Sequence, residues 1–295
     1  MGWGAQQWCR ATKEATYNTF NAAAIPADIT WFRLIGGNAF SMRVVPQRVI
    51  IRSADGGNRR RQVVAARKVC AGNLSTAWYP TQSAFLLNSA MTLTASDLPS
   101  YTLDYFDSVQ VHRFTGAKVS SLAITSTAQQ DYCATSIGWI ASTRGTATLA
   151  QPADSTFPQE VPYEHIETKG NLNIGGVVTK YSSLSISLKN VLAPTWDEDQ
   201  YITNLYYCGR DMDLSFRLQY LSSAMRAAFE AQSPLTVTAA WARVAGLTST
   251  FDLKTKNYLA DFTDDIPLDN ATYQAMTIQA FFDGAASTDC SFTVA

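Results

Sequence analysis

The chain is short of nearly everything from which enzymes, metal sites and membrane spans are built. It has 295 residues and two histidines, His112 and His165. Its five cysteines, at 9, 70, 133, 208 and 290, are odd in number and widely spaced, with no Cys-x-x-Cys pair. That spacing supports neither a zinc site nor a disulfide framework. Five reduced and mostly buried thiols are expected. No Gly-x-Gly-x-x-Gly, Walker loop, His-Glu-x-x-His or Gly-x-Ser-x-Gly is present, so no cofactor is expected. His165 lies in Tyr163-Glu-His-Ile-Glu167, and an imidazole beside carboxylates can act as a base. No nucleophile accompanies it, and an enzyme is not expected. The acidic clusters Asp197-Glu198-Asp199 and Asp264-Asp265 lack calcium-loop spacing and read as solvated loops.

Long apolar runs are missing as well. Ala84-Phe85-Leu86-Leu87 is among the longest, against the roughly 20 residues a helix needs to cross a bilayer. The first residues, Met1-Gly-Trp-Gly-Ala-Gln-Gln-Trp8, show no basic stretch followed by an apolar one. A soluble chain made in the cytoplasm, with no membrane partner, is the expectation. With 46% hydrophobic residues the chain is too apolar to stay disordered.

What is present alternates. Strands are predicted at Phe40–Val45, Arg48–Arg52, Arg61–Arg67, Tyr101–Phe106, Ser108–Phe114, Val119–Thr125 and Tyr132–Ala141. Others follow at Val177–Leu188, Asp211–Gln219, Leu235–Val244, Tyr258–Phe262, Tyr273–Phe282 and Cys290–Val294. These segments are rich in β-branched and aromatic residues with period two. Asp55-Gly56-Gly57-Asn58 marks a hairpin turn, and Thr115-Gly116 marks another. Thr81–Met91, behind Pro80, and Leu221–Ala231 have helical spacing. Residues 1–39 read as an N-terminal arm. Residues 146–176 read as a linker, since 142–160 is rich in Ser, Thr, Ala, Gly and Pro.

The two halves correspond. Tyr132-Cys-Ala-Thr-Ser-Ile-Gly-Trp-Ile140 aligns with Tyr273-Gln-Ala-Met-Thr-Ile-Gln-Ala-Phe281 at an offset of 273 − 132 = 141. Phe40–Val45 aligns with Tyr181–Ile186 near the same spacing, and the Arg67 strand with the Arg210 strand at 143. Two tandem β units, 40–145 and 177–295, are therefore expected. Charge divides along the same line. Residues 1–148 carry 14 Lys+Arg and 7 Asp+Glu, a net of +7; residues 149–295 carry 9 and 17, a net of −8. Unlike faces of this kind suit contacts between copies. Arg59-Arg60-Arg61 is too short a cluster, in too acidic a chain, to favour nucleic acid, and reads as a contact for an acidic protein surface. Asp261, Asp264 and Asp265 are acidic contact candidates.

Four stretches carry a family resemblance. They are Pro46-Gln-Arg-Val-Ile-Ile-Arg52, Phe114-Thr-Gly-Ala-Lys-Val-Ser-Ser-Leu-Ala-Ile124, Tyr181-Ser-Ser-Leu-Ser-Ile-Ser-Leu-Lys-Asn-Val-Leu192, and Ile266-Pro-Leu268 followed by Tyr273–Phe282. In pattern and order, from about residue 40 onward, the chain resembles the major tail tube proteins of long-tailed bacteriophages. The resemblance implies a mainly β fold, a β-sandwich or barrel-like unit with short flanking helices. It implies a virion tail protein that forms stacked rings around a lumen through which DNA passes without specific binding. Tape measure, terminator and distal tail proteins are the implied partners. Asp55, Gly56, Gly57, Asn58, Arg59, Arg60 and Arg61 become candidates for a hairpin between rings. Combined with the doubled unit, it favours three chains per ring, a pseudo-hexamer, over six. The lumen wall is expected to be polar or acidic. Two other readings compete: a tail terminator or head–tail connector ring, and a β-sandwich carbohydrate-binding module using Trp139, Trp196 and Trp241.

Overall fold

Period-two alternation sets the strands, and their pairings set the architecture. The computed structural model describes residues 7–34, 39–52, 60–94, 96–150, 152–168, 172–219, 224–243, 248–265, 273–281 and 290–294. Eight strands lie in the first half: β1 (Trp8–Lys13), β2 (Ile29–Arg33), β3 (Arg43–Arg52), β4 (Arg60–Ala77), β5 (Tyr101–Phe106), β6 (Val111–Thr127), β7 (Ala134–Ala141) and β8 (Thr143–Ala147). Helix α1 (Pro80–Met91) sits between β4 and β5, with Pro80 in its first turn, where a missing N–H is harmless. Eight more strands follow: β9 (Leu172–Ile174), β10 (Val177–Val178), β11 (Tyr181–Thr195), β12 (Asn204–Gln219), β13 (Leu235–Ala242), β14 (Thr248–Asp265), β15 (Tyr273–Ala280) and β16 (Cys290–Val294). Helix α2 (Ala224–Glu230) sits between β12 and β13.

All pairings are antiparallel, and they follow the same order in each half. In the first, β1 pairs with β2 and β5, β3 with β4, β4 with β7, and β6 with β5, β7 and β8. In the second, β9 pairs with β10 and β13, β11 with β12, β12 with β15, and β14 with β13, β15 and β16. Among the described residues one pairing joins the halves: β6 with β11, from Lys189↔Ser121 to Ser183↔Thr127.

Irregularities recur at matching places. β6 carries a bulge between Val119 and Ser121, opposite Trp139 and Gly138 of β7. β14 carries one between Leu259 and Asp261, opposite Ile278 and Thr277 of β15. Anchored on these bulges, β7 and β15 correspond at 278 − 139 = 139. The sequence alignment at 141 matched the same strands two residues out of step. A slip of two preserves which face each side chain occupies, so alternation alone does not detect it.

Several local expectations change. Residues 8–33, expected within an arm, supply β1 and β2. Trp8, Cys9, Ala11 and Phe32 are buried, and β1 is a central strand between β2 and β5. Thr115-Gly116 does not reverse the chain. Gly116 has φ +64°, but it bends one continuous β6 from its pairing with β5 and β8 to its pairing with β7 and β11. The bend puts the Gly116 N–H 2.9 Å from the Glu14 carboxylate, and a Cβ there would lie 2.9 Å from Ser142 Cβ. Residues 143–147, read as the start of a linker, form β8.

One apolar cluster runs through both halves. It includes Leu74, Trp78, Leu122, Ile137 and Trp139 from the first, and Leu188, Leu214, Phe216, Trp241 and Ile278 from the second. Helix α1 contributes Leu86 and Leu87 to it.

Candidate assembly surface

The joined sheet runs β3-β4-β7-β6-β11-β12-β15-β14. One face is the core; the other is open, as antiparallel sheets allow. Register lines up the open-face side chains in rows. One row reads Ala134, Thr125, Ser185, Ser215, Thr277, Asp261. The next reads Ser75, Ser136, Ala123, Ser187, Asp213, Gln279. A third passes through Asn73, Gly138, Ser121, Lys189 and Asp211. The serine alternation in β11 thus belongs to a broad wall of small hydroxyl and methyl groups. Ser215 and Thr277 hydrogen-bond across it at 3.1 Å. Lys189 is set opposite Asp211 in register, so the face carries charges of both signs side by side.

Several charged groups are held away from this face. The carboxylate of Asp104, fully buried in β5, receives Arg10 Nη2 at 2.5 Å and Arg113 Nε at 2.7 Å. Phe20 covers the Arg113 guanidinium, 3.7 Å from its ring centroid. Buried Lys118 donates to Asp97 at 2.5 Å and to the Leu205 carbonyl. Arg67 stacks on Trp196 at 4.6 Å. Three cations of the first half, Arg10, Arg113 and Lys118, are thus engaged by Asp104 and Asp97 of the same half.

Both histidines have polar partners. His112 bridges Asp107, at 2.7 Å, and Arg144, at 3.0 Å. Asp107 is held down to about 2 by the Gln110 N–H, His112 and the Val109 N–H. His165 Nδ1 is 3.0 Å from Ser126 Oγ, and its ring meets Tyr181 edge-on at 4.6 Å. Burial pushes its pKa below the ordinary value. Ser126 is buried and His165 half-buried. Glu167 is bound by Arg243, Nε to carboxylate, at 2.6 Å. Among the described residues no group of three metal-ligating side chains occurs.

The tryptophans proposed for sugar stacking are differently occupied. Trp139 and Trp241 are buried, and Trp196 faces Arg67. Of the hairpin candidates, Asp55, Gly56, Gly57, Asn58 and Arg59 lie outside the described residues. Arg60 and Arg61 begin β4, with Arg60 paired to Arg52; their side chains lie outside the described set. Asp264 and Asp265, expected in a loop, are the end of β14, paired with Gln274 and Tyr273. β15 supplies the ladder that holds these acids extended, a non-local effect that overrides their low strand propensity. Asp261 is exposed on the same strand.

Sequence reading missed two things: the internal seam β6–β11, and the continuity of the open face across it. The serine run of β11 was the one local signal for both.

No curated protein matches this chain. A family model described as phage tail tube protein matches residues 8–294. That span includes all sixteen strands of the described residues, and the chain belongs to the phage tail tube protein family, structural components of the virion tail.

Proposed function

We propose that this chain assembles into stacked rings that form the hollow tail tube, with three chains per ring. The repeated pairing order carries this reading. Each chain offers two units of the same topology, so three chains present six quasi-equivalent units around an axis. Closure by rotation gives a ring, and translation of rings gives a tube.

The open face is the proposed lumen wall. Duplex DNA binds proteins by exchanging counterions for Lys and Arg. A wall of Ser, Thr and Ala, with its described charges of both signs, gives phosphates little to grip. The hairpin between β3 and β4, with Asp55, Gly56, Gly57, Asn58, Arg59, Arg60 and Arg61, is the proposed inter-ring element. Asp261, Asp264 and Asp265 are proposed acidic contacts. Tape measure, terminator and distal tail proteins are the proposed partners at the tube's inside and ends, and assembly is placed in the host cytoplasm.

Electron microscopy of purified protein tests this. Long tubes with threefold end-on averages are expected. Single rings that never stack would favour a terminator or connector, and six chains per ring would overturn the trimeric arrangement.

A further inference from the structure

The internal seam specifies an external one. β3 and β11 hold the same place in their halves, as do β6 and β14. Inside the chain β6 accepts β11. Among the described residues β3 pairs with β4 alone, and β14 beyond Asn257 pairs with β15 alone. Among the described residues each of these two stretches has one free side, and the two are the counterparts of the edges already joined inside the chain.

The register can be transferred. The bulges make Leu122 the counterpart of Phe262, each two residues after the bulged position. Through β7 and β15, Cys70 corresponds to Met212, whose partners Val44 and Leu188 then correspond, 188 − 44 = 144. Leu188 opposite Leu122 inside the chain therefore becomes Val44 opposite Phe262 between chains. We infer that the β14 edge of one copy pairs antiparallel with the β3 edge of the next, with Val45 opposite Asp261, Val44 opposite Phe262 and Arg43 opposite Thr263. The inference rests on the ring reading above and names its seam.

Four observations fit that register. Leu122 and Leu188 are buried, 3% and 2% exposed, at the closed seam. Val44 and Phe262 pack against the core yet remain only partly buried. Joining the edges would bury them as their counterparts are buried. On the other face, Val45 is 40% exposed and Asp261 is exposed, so the faces match without a slip. Exposed Arg43 would sit diagonal to Asp261, within reach of a long side chain across a strand pair. A basic first half would then meet an acidic second half at each seam. Finally, the internal ladder stops at Lys189, one residue before Asn190. The counterpart of Asn190 is Pro46, so the residue with no N–H falls just past the end of the new ladder. An edge left open would invite unspecific pairing; ring closure removes it.

The test uses the full chain with Cys208→Ser, since Cys208 is the exposed cysteine and Cys9, Cys70, Cys133 and Cys290 are buried. Val45→Cys and Asp261→Cys are added together, and assembled protein is oxidised with copper–phenanthroline. Directly opposed residues lie within disulfide reach. Cross-linked dimers and trimers are expected, at least fivefold above the pair Val45→Cys with Thr263→Cys, which is two residues out of register. Separately, Arg43→Asp or Asp261→Arg should raise the concentration needed for assembly about tenfold, and the two together should restore it. That rescue distinguishes a contact from misfolding. Rings or tubes of three chains with no cross-link above the control, or no rescue, would overturn the seam and leave the tube reading intact. A chain that stays monomeric at every concentration would overturn both.

Discussion

Trp78 and Trp241 meet edge to face, ring centroids 4.5 Å apart, and they come from opposite halves of the chain. Both are fully buried. Tyr163, from the segment between the halves, packs on Trp78 at 5.0 Å, and its hydroxyl lies 2.8 Å from Ser249 Oγ. Its N–H also donates to the Trp78 carbonyl at 2.8 Å. The two units are thus joined twice, by the β6–β11 ladder on one side and by this aromatic cluster within the shared core.

The halves should therefore unfold together. Trp78→Ala and Trp241→Ala are each expected to lose about 3–5 kcal/mol. The double variant should fall short of their sum by roughly 0.5–3 kcal/mol, because the residues touch. Urea unfolding followed by fluorescence and circular dichroism measures this. Two separate transitions in the native chain, or strict additivity, would contradict a shared core.

Asp104 holds two arginines with one buried carboxylate. Replacing it by Ala strands both guanidinium groups under Phe20, and breaking a buried ion pair by removing one partner costs about 3–5 kcal/mol. Lys254→Ala removes a more exposed pair with Asp252 and should change stability by no more than about 1 kcal/mol. Comparable losses in the two variants would show that the Asp104 cluster is not the anchor of β1 and β5.

Much of this was legible in the chain. Tyr101–Phe106 and Cys290–Val294 form strands at the residues read from alternation, because in both, apolar or aromatic residues alternate with polar ones. Pro80 marked α1 through the chemistry of the first helical turn. The errors share a cause. β1 reads as arm because Trp8-Cys-Arg-Ala-Thr-Lys13 puts Arg10 and Thr12 in line with Trp8, and Cys9 and Ala11 in line with Lys13, so neither face is uniformly apolar in sequence. Gly116 did signal a positive φ, but whether such a glycine reverses or bends a strand depends on partners far away, here β5, β8, β7 and β11. The open face was hidden for the same reason: a serine-alternating strand looks like any solvated strand until its neighbours are known.

Acid should loosen the junction between the halves. His165 packs on Tyr181 of β11 and bonds Ser126 of β6. Burial lowers its folded pKa, so the unfolded chain takes up the proton first as pH falls. Stability is then constant above the unfolded value near 6.5 and declines below it, toward the folded pKa. Melting temperatures should be flat above about pH 7 and fall from about pH 6.5 downward. His165→Asn should flatten that segment of the profile. An unchanged slope in the variant would assign the dependence to other groups.

The proposed lumen wall makes a charge-specific prediction. Ala123 and Ser185 lie on the open face, and their partners in register, Ser136 and Ser187 for the one, Thr125 and Ser215 for the other, are uncharged. Arginine at either position would find no carboxylate directly opposite. Solvent-facing substitutions away from packed contacts usually change stability by no more than about 0.5 kcal/mol, so Ala123→Arg with Ser185→Arg should leave assembly intact. Tubes of the double variant should nonetheless retain short duplex DNA at low salt, with retention falling steeply as salt rises, the signature of counterion release. Native tubes should retain none under the same conditions. Co-sedimentation of labelled DNA across a salt series reads both. If the arginines leave retention unchanged while tubes still form, the open face does not line the passage.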